Sequence, residues 1–171
     1  ASAKPATFWT DRADAPVAAA PLSGSVTANL VICGGGLTGL WTAIQALEDD
    51  PGRKVVILEA ETIGFGASTR NGGMLDQSLT HGLENGISHW PKEIDTLVRL
   101  GRENFDAIEE TLQRHGVDAE FERVSSLSVA TKPWQLDEFR AELPVARDAG
   151  ADAHLLDAGQ TRTRLDSPTY L

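Results

Sequence analysis

The 171-residue chain holds one cysteine, one methionine, one tyrosine and only 6% aromatic residues. A single thiol, Cys33, excludes an internal disulfide, and no Cys or His cluster has metal-ligand spacing, so no metal site is expected. No stretch reaches the roughly 18 consecutive apolar residues of a membrane-spanning helix. Nor does the N-terminus carry a charged-then-apolar secretory leader. Basic residues are scarce as well, 15 Lys and Arg against 25 Asp and Glu, a net charge of −10. That field disfavours nucleic acid and anionic membranes as partners. The chain reads as cytoplasmic, with a small molecule as its partner.

What is present begins at residues 28–59, ANLVICGGGLTGLWTAIQALEDDPGRKVVILE. Val31 and Ile32 enter a Gly34-x-Gly36-x-x-Gly39 turn. Leu37, Leu40, Trp41, Ile44 and Leu47 follow at helical spacing, and Val55, Val56, Ile57 and Leu58 form a second apolar run, read as a buried parallel strand. This is the pattern of a dinucleotide-binding βαβ unit. Gly34 allows the tight strand-to-helix turn, Gly36 bares the backbone to a diphosphate, and Gly39 lets the helix pack close to the strand. Leu37 and Thr38 sit beside them at the helix N-terminus, where free N–H groups and the helix dipole favour an anion. Glu59, about twenty residues after Gly39, is placed to accept hydrogen bonds from ribose hydroxyls, with Ala60 next to it. A carboxylate there would repel a 2′-phosphate, which disfavours NADP relative to NAD or FAD. Trp41, at helical spacing with its apolar neighbours, reads as core and not as an adenine-stacking ring. Cys33, ending the first strand, reads as a small buried structural residue.

Directly after Glu59 comes a second glycine-rich stretch, Gly64-Phe65-Gly66-Ala67-Ser68-Thr69-Arg70-Asn71-Gly72-Gly73. Small residues let backbone approach a flat ring and its diphosphate. Ser68 and Thr69 offer hydroxyls and Arg70 a charge, while Asn71-Gly72 is also a turn signal. Ser68 could equally cap a short helix, and Arg70 could be a solvated surface arginine.

On these residues the chain resembles the N-terminal part of FAD-dependent oxidoreductases of the D-amino-acid oxidase type, in the branch with glycine oxidases, sarcosine-oxidase-like enzymes and gamma-glutamylputrescine oxidoreductases. In that family a stretch of the form GxGASxRNGG follows the second strand and wraps the flavin side of FAD, and Thr69 here stands at its variable position. The opening Phe8-Trp9-Thr10-Asp11 resembles a short aromatic arm that precedes the first strand in the putrescine-related branch. The resemblance implies non-covalently bound FAD and oxidation of an amine or amino acid by hydride transfer. It assigns Gly66, Ala67, Ser68, Arg70, Asn71, Gly72 and Gly73 to the ribityl and flavin side. It names no catalytic residue in this chain. His81 and His89 match no flavinylated histidine, and His115 is read as interacting with the C-terminal end of its helix.

Beyond the loop the pattern changes. Residues 91–115 start at Pro91, carry Ile94, Leu97, Val98, Phe105, Ile108 and Leu112, and stop at His115-Gly116, which predicts a long amphipathic helix. Residues 121–130 alternate in part and predict a half-exposed strand, 133–149 a helix, 153–156 a short apolar stretch and 160–165 a short helix. The expected fold class is α/β: a Rossmann-like FAD-binding βαβ unit with the beginning of an α+β substrate domain, incomplete in this chain. The domains expected are an N-terminal arm at 1–25, with an Ala/Pro-rich part at 13–21, a first FAD-domain segment at 26–90, and a helix with the start of the substrate-domain excursion at 91–171. Family chains are considerably longer, so the resemblance reads this chain as an N-terminal fragment. A partial parallel sheet leaves edges and apolar faces uncovered; the partners expected for them are a second copy or the C-terminal remainder of the same protein, and the piece alone is expected to be inactive and to oligomerise or bind FAD poorly. Two other classes stay open, an NAD-binding dehydrogenase or reductase domain and a non-catalytic nucleotide-binding module.

Overall fold

A computed structural model describes residues 6–12 and 19–171, so much of the arm expected at 1–25 lies outside the described residues. The chain divides into two compact units, Ala1–Met74 and Leu75–Leu171.

In the first unit, β1 (Leu30–Cys33) runs into α1 (Leu37–Asp49), which returns the chain to β2 (Val55–Leu58). The strands pair in parallel, Leu30 opposite Val55 and Cys33 opposite Leu58. Asn29 sets this register: its N–H donates to the Lys54 carbonyl at 2.9 Å, and its Oδ1 accepts from the Lys54 N–H at 2.8 Å. The helix ends where Asp50 turns the chain, its Oδ1 accepting the Gly52 N–H at 3.0 Å.

α1 packs on both strands through its smallest residues. Gly39, Ala43 and Ala46 are buried, at a spacing of i, i+4 and i+7 that aligns them on one face. The larger apolar residues flank that face; Leu37 is 53% and Leu47 41% exposed. The expectation of a fully buried second strand is therefore corrected: Val55 to Ile57 are half-buried and Leu58 is exposed. Cys33, expected to be buried, is exposed. Both corrections have one cause. α1 covers a single face of a two-stranded sheet, so Leu30 and Ile32 are half-buried while Val31 and Cys33, alternating to the other side, are exposed.

The second unit holds α2 (Leu83–His89), α3 (Ile94–Arg114), α4 (Pro133–Asp148) and α5 (Ala158–Arg164). Sequence reading missed α2, a seven-residue helix with no side-chain N-cap. α3 and α4 match their expected spans within about three residues at each end, which is the ordinary scatter of helix boundaries. Both end in the same way. At α3, Gly116 takes φ +61° and the Val117 N–H reaches the Leu112 carbonyl at 2.9 Å; at α4, Gly150 takes φ +81° and the Ala151 N–H reaches the Ala146 carbonyl at 2.9 Å. Left-handed glycines thus satisfy the last helical carbonyls. His115 caps α3, its N–H bonded to the Thr111 carbonyl at 3.0 Å. Asp157 starts α5 by accepting the Gln160 N–H at 2.8 Å, and Gln160 accepts back from the Asp157 N–H.

The strand expected at 121–130 does not form: the segment is irregular throughout. A lone strand cannot satisfy its own backbone groups, and the sheet among the described residues is the β1–β2 pair. Side chains tether this segment instead. Arg123 bonds Asp106 at 2.7 Å and Glu109 at 2.5 Å on α3 and lies over the Phe105 ring, and Phe121 packs against Phe105.

Candidate functional site

The glycine-rich turn is built by a left-handed backbone at Gly34 and by close contacts at Gly36 and Gly39. Gly34 takes φ +106°, and its N–H continues the ladder to the Leu58 carbonyl at 2.7 Å. A Cβ on Gly39 would stand 2.1 Å from the Gly34 carbonyl oxygen and 3.3 Å from Ile32 Cγ2. Gly39 is therefore what lets the helix start hard against the strand it has just left. Gly36 is the N-cap of α1; it supplies no capping side chain, and the first turn contains no acidic residue. Leu37 and Thr38 open the helix, both exposed.

The second glycine-rich stretch folds over this same helix end. Gly66 leads into a single 3-10 turn, Ala67–Thr69, and Ser68 Oγ accepts the Leu37 N–H at 2.9 Å. A Cβ on Gly36 would meet that oxygen at 2.9 Å. Ser68 thus does act as a helix cap, but of α1, thirty-one residues away in sequence. The Gly64 N–H donates to the Gly35 carbonyl at 2.9 Å, and Thr69 Oγ1 closes the loop on the Gly64 carbonyl at 2.6 Å.

Glu59, at the end of β2, points back at the turn. Its Oε2 accepts the Gly35 N–H at 2.7 Å and its Oε1 the Glu61 N–H at 3.1 Å. These bonds favour the ionised form, Gly35 most strongly, and hold the carboxyl below its ordinary value of 4.5. Ala60 follows, exposed. Gly35 was not singled out from sequence, since it occupies a variable position of the glycine pattern; it is buried, and both its N–H and its carbonyl are used.

Arg70 does not reach the helix end. Its Nε and Nη2 donate to the Phe65 carbonyl at 3.2 and 3.0 Å, and its guanidinium lies 5.3 Å from the centre of the Phe65 ring. Asn71 braces the loop: Nδ2 donates to the Ser68 carbonyl and Oδ1 accepts the Gly73 N–H, both at 2.9 Å. Gly72 is exposed with open space around it, and Gly73 takes φ +76° against the indole of Trp9. The structure therefore gathers Gly34, Gly36, Leu37, Gly39, Glu59 and Ser68 about one helix end. Arg70, Asn71, Gly72 and Gly73 lie on the loop that leads away from it.

His81 and His89 fall in the second unit. His81 has φ +55°, and the His89 ring nitrogen Nδ1 is 2.9 Å from the Asn85 carbonyl. Among the described residues, no group of His, Cys, Asp or Glu side chains comes together to hold a metal ion, and no helix is long and apolar enough to cross a membrane.

The chain is 34% identical over 153 residues to the gamma-glutamylputrescine oxidoreductase of Escherichia coli (strain K12), an alignment covering 87% of this chain and 35% of that protein. It is 30% identical over 108 residues to the probable oxidoreductase OrdL of Haemophilus influenzae (strain ATCC 51907 / DSM 11121 / KW20 / Rd), covering 60% of this chain and 24% of that one. The chain thus spans about a third or less of the length of these curated relatives. No solved structure matches it. Residues 29–170 match the profile of the FAD dependent oxidoreductase (DAO) family, and the chain belongs to that family.

Proposed function

We propose that the chain is the N-terminal FAD-binding portion of a flavoprotein that oxidises an amine or amino acid. The observation that carries the reading is the Ser68 Oγ to Leu37 N–H bond of 2.9 Å, by which the two glycine-rich stretches converge on one helix end. The residues fit the cofactor. The first turn of α1 has no acidic residue of its own and its N-cap, Gly36, has no side chain, which leaves backbone beside the Ser68-capped Leu37 N–H open to a diphosphate. Glu59, held ionised by backbone N–H groups, keeps acceptor capacity on both oxygens for ribose hydroxyls. Ala67 to Gly73 would lie along the ribityl and flavin side. Bound there, FAD supplies a two-electron acceptor for the carbon that bears the amine nitrogen.

The role of this chain is binding and orientation. Gly34, Gly36, Leu37, Thr38 and Gly39 hold the diphosphate, Glu59 and Ala60 the ribose, and Gly66, Ala67, Ser68, Arg70, Asn71, Gly72 and Gly73 the flavin side, without a covalent bond. The segment 91–171 begins the substrate domain, and an amine of the kind named in the Escherichia coli relative is the substrate class. The enzyme is cytoplasmic. Large apolar side chains such as Val31, Leu58, Ile63 and Phe65 stay exposed in the first unit, surface that the C-terminal remainder or a second copy would cover.

The test, on the whole protein that carries this chain, is reconstitution with FAD followed by desalting, absorption spectroscopy and acid precipitation. Retained bands near roughly 370 and 450 nm, released to the supernatant by acid, are the expected result, because that chromophore belongs to the flavin. Uptake of NAD in place of FAD would establish a nicotinamide enzyme, and uptake of neither would overturn the reading. Yellow colour that stays with the precipitate would refute the non-covalent mode alone.

A further inference from the structure

We propose that Trp9 is a positioning residue for the cofactor loop, pinning Asn71 to Gly73 in the shape that receives the flavin side of FAD. The proposal rests on the FAD reading above. Trp9 Nε1 donates to the Asn71 carbonyl at 3.0 Å across 62 residues of sequence. The same indole lies against Gly73, where a Cβ would stand 2.5 Å from Cζ2 and 2.7 Å from Cη2. Gly73 is thus glycine for two reasons, its φ of +76° and the ring beside it. The arm that carries Trp9 is itself ordered locally. The Asp11 N–H closes a turn on the Thr7 carbonyl at 2.9 Å, and Phe8 meets Trp9 edge to face with ring centres 5.0 Å apart.

The contact propagates inward through identified bonds. Trp9 holds the Asn71 backbone; the Asn71 side chain holds both the Ser68 carbonyl and the Gly73 N–H; Ser68 Oγ holds the Leu37 N–H at the start of α1. Burial does not fix the loop, since Asn71, Gly72 and Gly73 are exposed and Met74 is 93% exposed. A loop already held in its binding shape loses less freedom when a ligand arrives, so the anchor tightens binding without touching the ligand. A glycine-rich loop gains most from this, because glycine has the most backbone freedom to lose.

The experiment compares the whole wild-type protein that carries this chain with Trp9→Ala, which removes ring and donor, and Trp9→Phe, which keeps an aromatic ring and removes the N–H. FAD affinity is read by titration, and the order of the loop by hydrogen exchange of a peptide spanning residues 68–74 without cofactor. W9A is expected to bind FAD about tenfold more weakly and W9F about threefold, the scale of one lost hydrogen bond with and without its packing. Exchange in 68–74 should rise in the same order, with far-UV circular dichroism unchanged. Should W9A lose its circular dichroism, W9F decides, and wild-type affinity and exchange in W9F overturn the proposal. Faster exchange with unaltered FAD affinity also overturns it, since the arm would then be structural only. Failure of the wild-type protein itself to take up FAD overturns the flavin reading, an outcome distinct from wild-type and variants binding FAD equally.

Discussion

Gly39→Ala is a sharp perturbation of the candidate site, because the atom in the way is backbone. The new methyl carbon would stand 2.1 Å from the Gly34 carbonyl oxygen, against an ordinary contact of about 3.5 Å. No rotamer change relieves this; α1 must back away from β1 by more than about 1 Å, or the Gly34 peptide must turn. Forced overpacking of this kind costs about 1–3 kcal/mol, and with a rigid obstacle the upper end applies. Alanine returns about 1 kcal/mol through its better helix propensity, which leaves a net loss of about 2 kcal/mol. At a typical urea slope of about 2 kcal/mol per molar, the midpoint falls by about 1 M. The assay is urea unfolding with hydrogen exchange read on the β1 and α1 peptides, which isolates the first unit from the second. Gly72→Ala is the control, since its Cβ would meet nothing within 4 Å and its φ is not left-handed; its stability should stay within about 0.5 kcal/mol of wild type. Equal β1 and α1 protection in the two variants would refute the tight-turn argument.

Glu59→Gln keeps the shape but weakens acceptance of the Gly35 N–H, so FAD affinity should fall about tenfold in titration; unchanged affinity would remove Glu59 from the site. The carboxyl's folded value lies below 4.5, so its stabilisation is complete above that pH and is lost as pH falls through the lowered value. Wild type and E59Q should accordingly differ in unfolding midpoint at neutral pH and converge in acid. Glu142 has the opposite sign. Burial, then the charges of Glu84 and Glu138, raise its carboxyl above 4.5, so ionisation weakens the fold above the raised value and the penalty vanishes below the unfolded one. Glu142→Gln should raise the unfolding temperature at neutral pH and leave it unchanged in acid. Arg123→Ala should speed hydrogen exchange across 121–130, where Arg123 ties irregular chain to Asp106 and Glu109, with little effect on global stability because Arg123 and Asp106 are solvent-exposed.

The parts of this fold that were legible in the sequence are those whose physics is local. The first βαβ could be placed almost to the residue because strand, turn and helix each carry their own signal, and the end of α3 because glycine closes its periodic run, while its start falls at Ile94, three residues after Pro91. Burial was less legible. Cys33 and β2 looked like core because apolar parallel strands usually have both faces covered, yet whether a face is covered is a property of what packs on it. Residues 121–130 failed for a related reason, since alternation describes a strand only when a partner strand exists.

The same distinction runs through the candidate site. The glycines of the first turn announce themselves by spacing, and so does the second stretch by its own composition. Their joining does not. A serine hydroxyl capping a helix thirty-one residues away, or an indole pressed on a glycine 64 positions downstream, follows from where the chain returns in space. Ser68 illustrates the gain. Read locally, its capping role competed with its cofactor role, because a cap was assumed to serve the short helix next to it. With Leu37 as the capped N–H, at the anion-favouring end of α1, the capping bond itself puts Ser68 beside the proposed cofactor site. One hydroxyl sets the second loop at the place where the first presents its backbone.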